Sequence, residues 1–177
     1  MRNAHKGFSL IELLIVVAII LIIAAIAIPN FLHSKIAANQ SSAVGSMRSL
    51  NTACVSFSTS YGQFPMSLTD LGPIGSGGTP SSTSADLIDS VLASGSKSGY
   101  TFVYTAGASA QSYSITATPI IPASSGQNMY FTDQSGVIRT DVSGAGATAA
   151  SAVIIPNVRP SRVMAPPFLT GAGSSSP

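Results

Sequence analysis

The chain has 177 residues, only 8% of them charged, and a formal net charge of +2. That length holds one domain with attachments, and so small a net charge makes no field able to hold nucleic acid, so no nucleic-acid partner is expected. A single cysteine, Cys54, excludes a disulfide within the chain; on the apolar face of a predicted helix it reads as a small core residue rather than a reactive thiol.

From Phe8 to Ile28 only Ser9 and Glu12 are polar. As a helix this segment would be about 31 Å long at ~1.5 Å per residue, close to the roughly 30 Å of a bilayer's hydrocarbon core. Arg2, His5 and Lys6 precede it, a bias that keeps the N-terminus in the cytoplasm and sends the rest across. Arg2 and Lys6 also supply the whole charge excess, because the eight basic residues less these two equal the six acidic ones. A plain membrane anchor fits this pattern. So does a secretory signal peptide cut after Ala27, since Ala25-Ile26-Ala27 is a small-x-small sequence; that cut would free a secreted binding module. Against it, the apolar run exceeds the ~7–15 residues usual for a signal core, and Glu12 interrupts its start. Glu12 itself needs a purpose, because a carboxylate in a spanning helix costs ~2.5–3.5 kcal/mol on insertion scales.

A third reading places processing ahead of the apolar run. Lys6-Gly7-Phe8-Ser9-Leu10-Ile11-Glu12 resembles the prepilin processing site of type IV pilins and of type II secretion pseudopilins. The resemblance covers Met1 to about Ala38. It implies a leader, residues 1–7, removed by a prepilin peptidase between Gly7 and Phe8, with N-methylation of Phe8. It also implies that Glu12 of one subunit neutralises the Phe8 amine of the next, with the two residues close on one helix face at their i, i+4 spacing. Such a pair would offset the cost of a buried carboxylate and set register between helices that could otherwise slide. The plainer alternative is that Glu12 snorkels to the headgroups. Residues 8–28 would then be both the membrane span and the filament-core helix.

Pro29 lacks an N–H and clashes with the Ala25 carbonyl; the helix is expected to continue beyond it with a kink. Over 29–60 apolar or small residues recur at Ile36, Ala43, Met47, Leu50, Cys54 and Phe57, with Tyr61 beyond, an amphipathic stripe that needs a partner surface. Gly62 and Pro65 end the helix. A head over 61–141 follows, with a loop or single turn at Ser67–Pro73, a flexible loop at Gly75–Ser84, and a short helix at Asp86–Ala93 with Ser84 as possible cap. Strand signals lie at Tyr100–Tyr104, Tyr113–Ala117, Met129–Thr132 and Val137–Thr140, the last two flanking a hairpin loop at Asp133–Gly136. The fold class expected is α+β: a long N-terminal helix packed on a small three- to four-stranded antiparallel sheet, which is also the pilin fold. Residues 142–177, rich in Gly, Ala, Ser and Pro, read as a low-complexity, mobile tail with Val153-Ile154-Ile155 a candidate strand. This tail departs from pilins that close their C-terminal region with a disulfide.

Catalytic constellations are missing. His5 and His33 are the only histidines and neither stands in a motif. No cofactor is expected. Asp133 and Asp141 are weak Ca²⁺ candidates, because two aspartates alone make a poor site; turn chemistry suits Asp133 better. The aromatic series Phe8, Phe31, Phe57, Tyr61 and Phe64 invites an electron-conduction reading, but core packing explains it with fewer assumptions. Lys97, Arg139, Arg159 and Arg162 are scattered cations. The reading is a structural subunit of a type IV pilus, not an enzyme, with a type II secretion pseudopilin as runner-up. The partners implied are the prepilin peptidase, identical or related pilin subunits, an inner-membrane assembly platform and the lipid bilayer. The implied location is a single-pass inner-membrane precursor with a cytoplasmic N-terminus, then an extracellular pilus or a periplasmic pseudopilus.

Overall fold

A computed structural model of the chain describes residues 8–108, 110–142 and 146–154. The leader with Gly7, and the tail from Ile155 with Arg159 and Arg162, lie outside the described residues.

One helix, α1, runs from Leu10 to Tyr61 and passes through Pro29, a rod of about 78 Å at ~1.5 Å per residue. Its buried residues are Ile36, Ala43, Ser46, Met47, Leu50, Asn51, Ala53, Cys54 and Phe57, which contain the stripe expected from the three-and-four spacing. Gly62 stops the helix. At φ 75 it takes the left-handed conformation that glycine accepts freely, and its N–H returns to the Ser58 carbonyl at 2.9 Å.

A 3-10 turn at Leu68–Leu71 follows, held by a reciprocal cap in which the Asp70 carboxylate accepts from the Ser67 N–H at 2.9 Å. The predicted short helix is α2, Ser90–Ala93. Its cap is Asp89 rather than Ser84: the Asp89 carboxylate accepts from the Leu92 N–H at 2.8 Å. The Lys97 ammonium donates to the same carboxylate at 2.8 Å, and this bond, then the Leu92 N–H, holds Asp89 below the usual carboxylate range. Ser84 instead donates its hydroxyl to the Pro73 carbonyl.

The sheet is a six-stranded antiparallel meander in sequence order. The four expected strands correspond to β2 (Tyr100–Ala106), β3 (Tyr113–Pro119), β4 (Met129–Asp133) and β5 (Arg139–Asp141); two-residue strands β1 (Ser96–Lys97) and β6 (Ala152–Val153) extend the edges. The count exceeds three to four because a Ser98-Gly99 turn, both residues at positive φ, folds β1 back on β2, the geometry of a two-residue hairpin. Alternate strand residues face α1: Tyr100 and Phe102, then Tyr113, Ile115 and Ala117, then Tyr130 and Thr132. With Met47, Leu50, Cys54 and Phe57 they form the core, closed at one side by Leu68, Leu71, Ile88 and Leu92.

Candidate functional site

The N-terminal rod is the part of the chain that the head does not cover. Leu10 through Ile23, Ile26, Ile28, Phe31 and Leu32 carry large apolar side chains in the open, with Leu10 81% exposed and Leu32 still 51%. α1 is long and apolar enough to cross a membrane by length and composition. The first residue of α1 to be covered by the head is Ile36.

Glu12 is exposed in the first turn of α1, where a negative charge is favoured by the helix dipole. Ser9 is the N-cap in extended conformation, and the Leu13 N–H donates to its carbonyl at 3.1 Å. Phe8 therefore stands outside the helix, not on one helical face with Glu12 as the i, i+4 spacing suggested. Ser9-Leu10-Ile11-Glu12 also has the spelling of a capping box, but the Ser9 side chain makes no cap bond. Among the described residues none bonds or ion-pairs with the Glu12 carboxylate. A carboxylate in an apolar stretch with no partner of its own is a group that a second molecule can satisfy.

At Pro29 the helical run is unbroken. Just beyond, the Asn30 amide donates to the Ile26 carbonyl at 3.1 Å and the Ser34 hydroxyl to the Asn30 carbonyl at 2.9 Å. Neither bond reaches the Ala25 carbonyl, the one that Pro29 leaves without its ladder donor.

The other sequence candidates are dispersed. Sheet register sets Asp141 opposite Met129, while Asp133 ends the same strand and pairs with Ser114; four residues separate the two levels, ~13 Å at ~3.3 Å each. The two aspartates are not brought together. Asp133 accepts from the Ser135 N–H at 2.9 Å, a turn contact. Among the described residues no three His, Cys, Asp or Glu side chains cluster. Cys54 is fully buried, and that burial pushes its thiol up from 9.0 to about 12. Lys97 is engaged with Asp89, and Arg139 donates to the Ser151 carbonyl. The head aromatics touch one another, Phe57 with Tyr61 and Phe64 with Tyr113, whereas Phe31 is exposed far down the rod.

A model of the prokaryotic N-terminal methylation motif matches residues 2–28. A type IV major fimbrial protein, FimA, of Dichelobacter nodosus is 40% identical over 93 residues, half of this chain and 58% of that protein. The chain is thus similar to type IV major pilins and carries their N-terminal methylation motif. A type IV major pilin protein, PilA, of Myxococcus xanthus is 55% identical over 53 residues, 30% of this chain and 24% of that protein. A type IV wide pilus major component, PilA4, of Thermus thermophilus is 67% identical over 39 residues, 22% of this chain and 29% of that one. These matches span from 24% to 58% of the relatives' own lengths. No solved structure matches the chain. The methylation-motif match falls on the leader and the apolar half of the rod.

Proposed function

We propose that the chain is a structural subunit of a type IV pilus. A prepilin peptidase removes residues 1–7 by cutting between Gly7 and Phe8 and methylates the Phe8 amine. The precursor sits in the inner membrane through residues 8–28 with its N-terminus cytoplasmic, and an assembly platform extracts it into the filament. There the rods form the core and the heads coat the outside. Glu12 of one subunit neutralises the Phe8 amine of its neighbour and sets the axial register. Phe8 lies outside the helix in the uncut chain, so its amine would be free to reach a partner once released.

The observation that carries this reading is an uncovered apolar rod whose carboxylate, Glu12, has no partner among the described residues. Mass spectrometry of the mature N-terminus tests it: methylated Phe8 supports filament assembly, and a chain starting at Ile28 refutes it in favour of secretion. Glu12→Val is expected to preserve membrane insertion and abolish filaments. Polymer confined to the periplasm would move the assignment to a type II secretion pseudopilus.

A further inference from the structure

The lower end of the head carries two apolar side chains that its core does not use. Ile120 and Ile121 lie between β3 and β4 and are 53% and 59% exposed. Their loop is well tied. The Ile120 N–H donates to the Gly99 carbonyl at 3.0 Å, and the Ser124 and Ser125 N–H groups both return to the Ile121 carbonyl. The Ser125 hydroxyl accepts from the Ile121 N–H. Nothing in these bonds draws the two isoleucines inward.

Their height above the membrane span follows from the packing. Tyr113, at the start of β3, donates its hydroxyl to Asn51 of α1. At the other end, the Asn39 amide donates to the Ser125 carbonyl at 2.8 Å, and Gly99 lies against the same Asn39 amide and Ser125. The six residue steps of β3 from Tyr113 to Pro119 cover ~20 Å at ~3.3 Å each, and the twelve helix steps from Asn51 down to Asn39 cover ~18 Å at ~1.5 Å each. β3 therefore descends along α1 toward the rod, and Ile120-Ile121 continue past its lower end. Ile36, one turn below Asn39, is buried, so the head reaches at least that level. Ile36 is ~6 Å above Leu32 and ~12 Å above Ile28 along the helix.

A bilayer's polar layer adds about 5–7 Å beyond each edge of the hydrocarbon. The exposed stretch of α1 from Leu10 to Leu32 is ~33 Å long, longer than the core of ~30 Å, and a span of that kind tilts, by about 20° on average. Tilt toward the loop lowers it into the polar layer while Phe31 and Leu32 enter the hydrocarbon. Lys35 is exposed on the same stretch of helix, at the level of anionic headgroups.

We propose that Ile120 and Ile121 form an interfacial foot, by which the head of the membrane-held subunit rests on the bilayer before extraction. The proposal rests on the reading of residues 8–28 as a membrane anchor. Its occupant is lipid at the polar layer, because the loop is tied at Asn39, only ~10 Å along the helix above Leu32, the last of the exposed apolar run. Extraction then breaks two contacts, of the rod and of the foot. The foot also fixes which side of the head faces the membrane.

The chain contains no tryptophan, so one introduced indole reports a single place. The full chain, as Ile121→Trp, Ile20→Trp or Met66→Trp, is reconstituted in phosphatidylethanolamine–phosphatidylglycerol vesicles carrying a quencher near the headgroup or deep in the acyl chain. Met66 is exposed beyond the far end of α1. The expected result for Ile121→Trp is a blue-shifted emission quenched more by the shallow label than by the deep one. Ile20→Trp should be quenched most by the deep label, and Met66→Trp by neither. Quenching in Ile20→Trp without any in Ile121→Trp overturns the foot and leaves the anchor standing. No quenching in Ile20→Trp overturns the anchor and the foot with it. A blue shift in Ile121→Trp that depends on protein concentration and not on either label overturns the lipid assignment in favour of a contact between heads.

Discussion

Asn51 gives the sharpest test of how head and helix hold together. It is the one amide in the buried stripe of α1, and it reaches two places on the sheet. Its Nδ2 donates to the Thr132 hydroxyl at 2.9 Å and to the Gly136 carbonyl at 3.2 Å, and its Oδ1 accepts from the Tyr113 hydroxyl at 3.2 Å. Thr132 is fully buried and Tyr113 nearly so. Asn51→Leu keeps the volume and removes all three bonds. Two buried hydroxyls lose a partner at about 1–3 kcal/mol each, while the Gly136 carbonyl, in an exposed turn, can turn to water. The expected loss is about 3–4 kcal/mol, a fall in Tm of roughly 8–15 °C for a chain of this size.

The five tyrosines all lie between Tyr61 and Tyr130, so the tyrosine band in near-ultraviolet circular dichroism of the detergent-solubilised chain follows the head. Adding Thr132→Val to Asn51→Leu should recover part of the loss, because removing both partners is cheaper than orphaning one. A cost below about 1 kcal/mol for Asn51→Leu, or a double variant worse than the sum of the singles, would refute the account of this amide as a buried link.

Gly126→Ala should destabilise the head by about 1–3 kcal/mol, because an added Cβ would collide with the buried Tyr100 ring and its hydroxyl, which donates to the Asn128 carbonyl; a combined Tyr100→Phe/Gly126→Ala chain tests this by regaining stability in urea. Alkali should weaken the fold through Cys54. Its thiol titrates at about 12 in the folded chain against 9.0 ordinarily, so the unfolded chain loses the proton first. The stabilisation is complete below pH 9 and is lost as pH rises toward 12, with a slope of at most ~1.4 kcal/mol per pH unit. Urea midpoints at pH 8 and 10 should fall less for Cys54→Ala than for the parent. Equal falls would assign the alkaline loss to the tyrosines, of which Tyr104 and Tyr113 are also raised, first by burial.

The stripe on α1 was legible because apolar residues there repeat at helical spacing with few interruptions, from Met47 to Phe57. The inner strands were legible because Tyr, Phe, Val, Ile and Thr are concentrated in short runs between small residues. Strand β1 was not, since two residues such as Ser96-Lys97 carry no pattern and exist only by pairing with a neighbour; β6, Ala152–Val153, overlaps the candidate strand at Val153. Asp89 lies inside the run whose pattern predicts helix, yet it stands at the turn and caps α2 in place of Ser84, because its carboxylate serves both the Leu92 N–H and Lys97. Asn51 was invisible for a similar reason. A polar residue beside a stripe reads as solvated until the sheet supplies partners. In the rod, the Glu12 carboxylate stood out at once, because a charge in an apolar run is rare, whereas the non-helical position of Phe8 depends on where the first turn closes.

Head and rod divide the work of α1 at Ile36. Above it the helix contains Asn39-Gln40-Ser41-Ser42 and Gly45-Ser46, residues of modest helix propensity, and its order there derives from the sheet pressed on it. Below it the side chains are nearly all leucine, isoleucine, valine and alanine, which hold a helix wherever an apolar medium surrounds them. The two halves therefore have separate sources of stability. Melting the head in detergent should unwind α1 from about Asn39 to Tyr61 and leave Leu10 to Leu32 helical. Far-ultraviolet ellipticity should then fall in step with the tyrosine signal but stop well short of a coil. A rod variant such as Glu12→Val should leave that melt unmoved, since sites so far apart act additively. A loss of filaments in that variant then belongs to contacts between rods and not to a damaged head. If Glu12→Val lowers the head's Tm, the two halves are coupled through the helix, and the separation of folding from assembly fails.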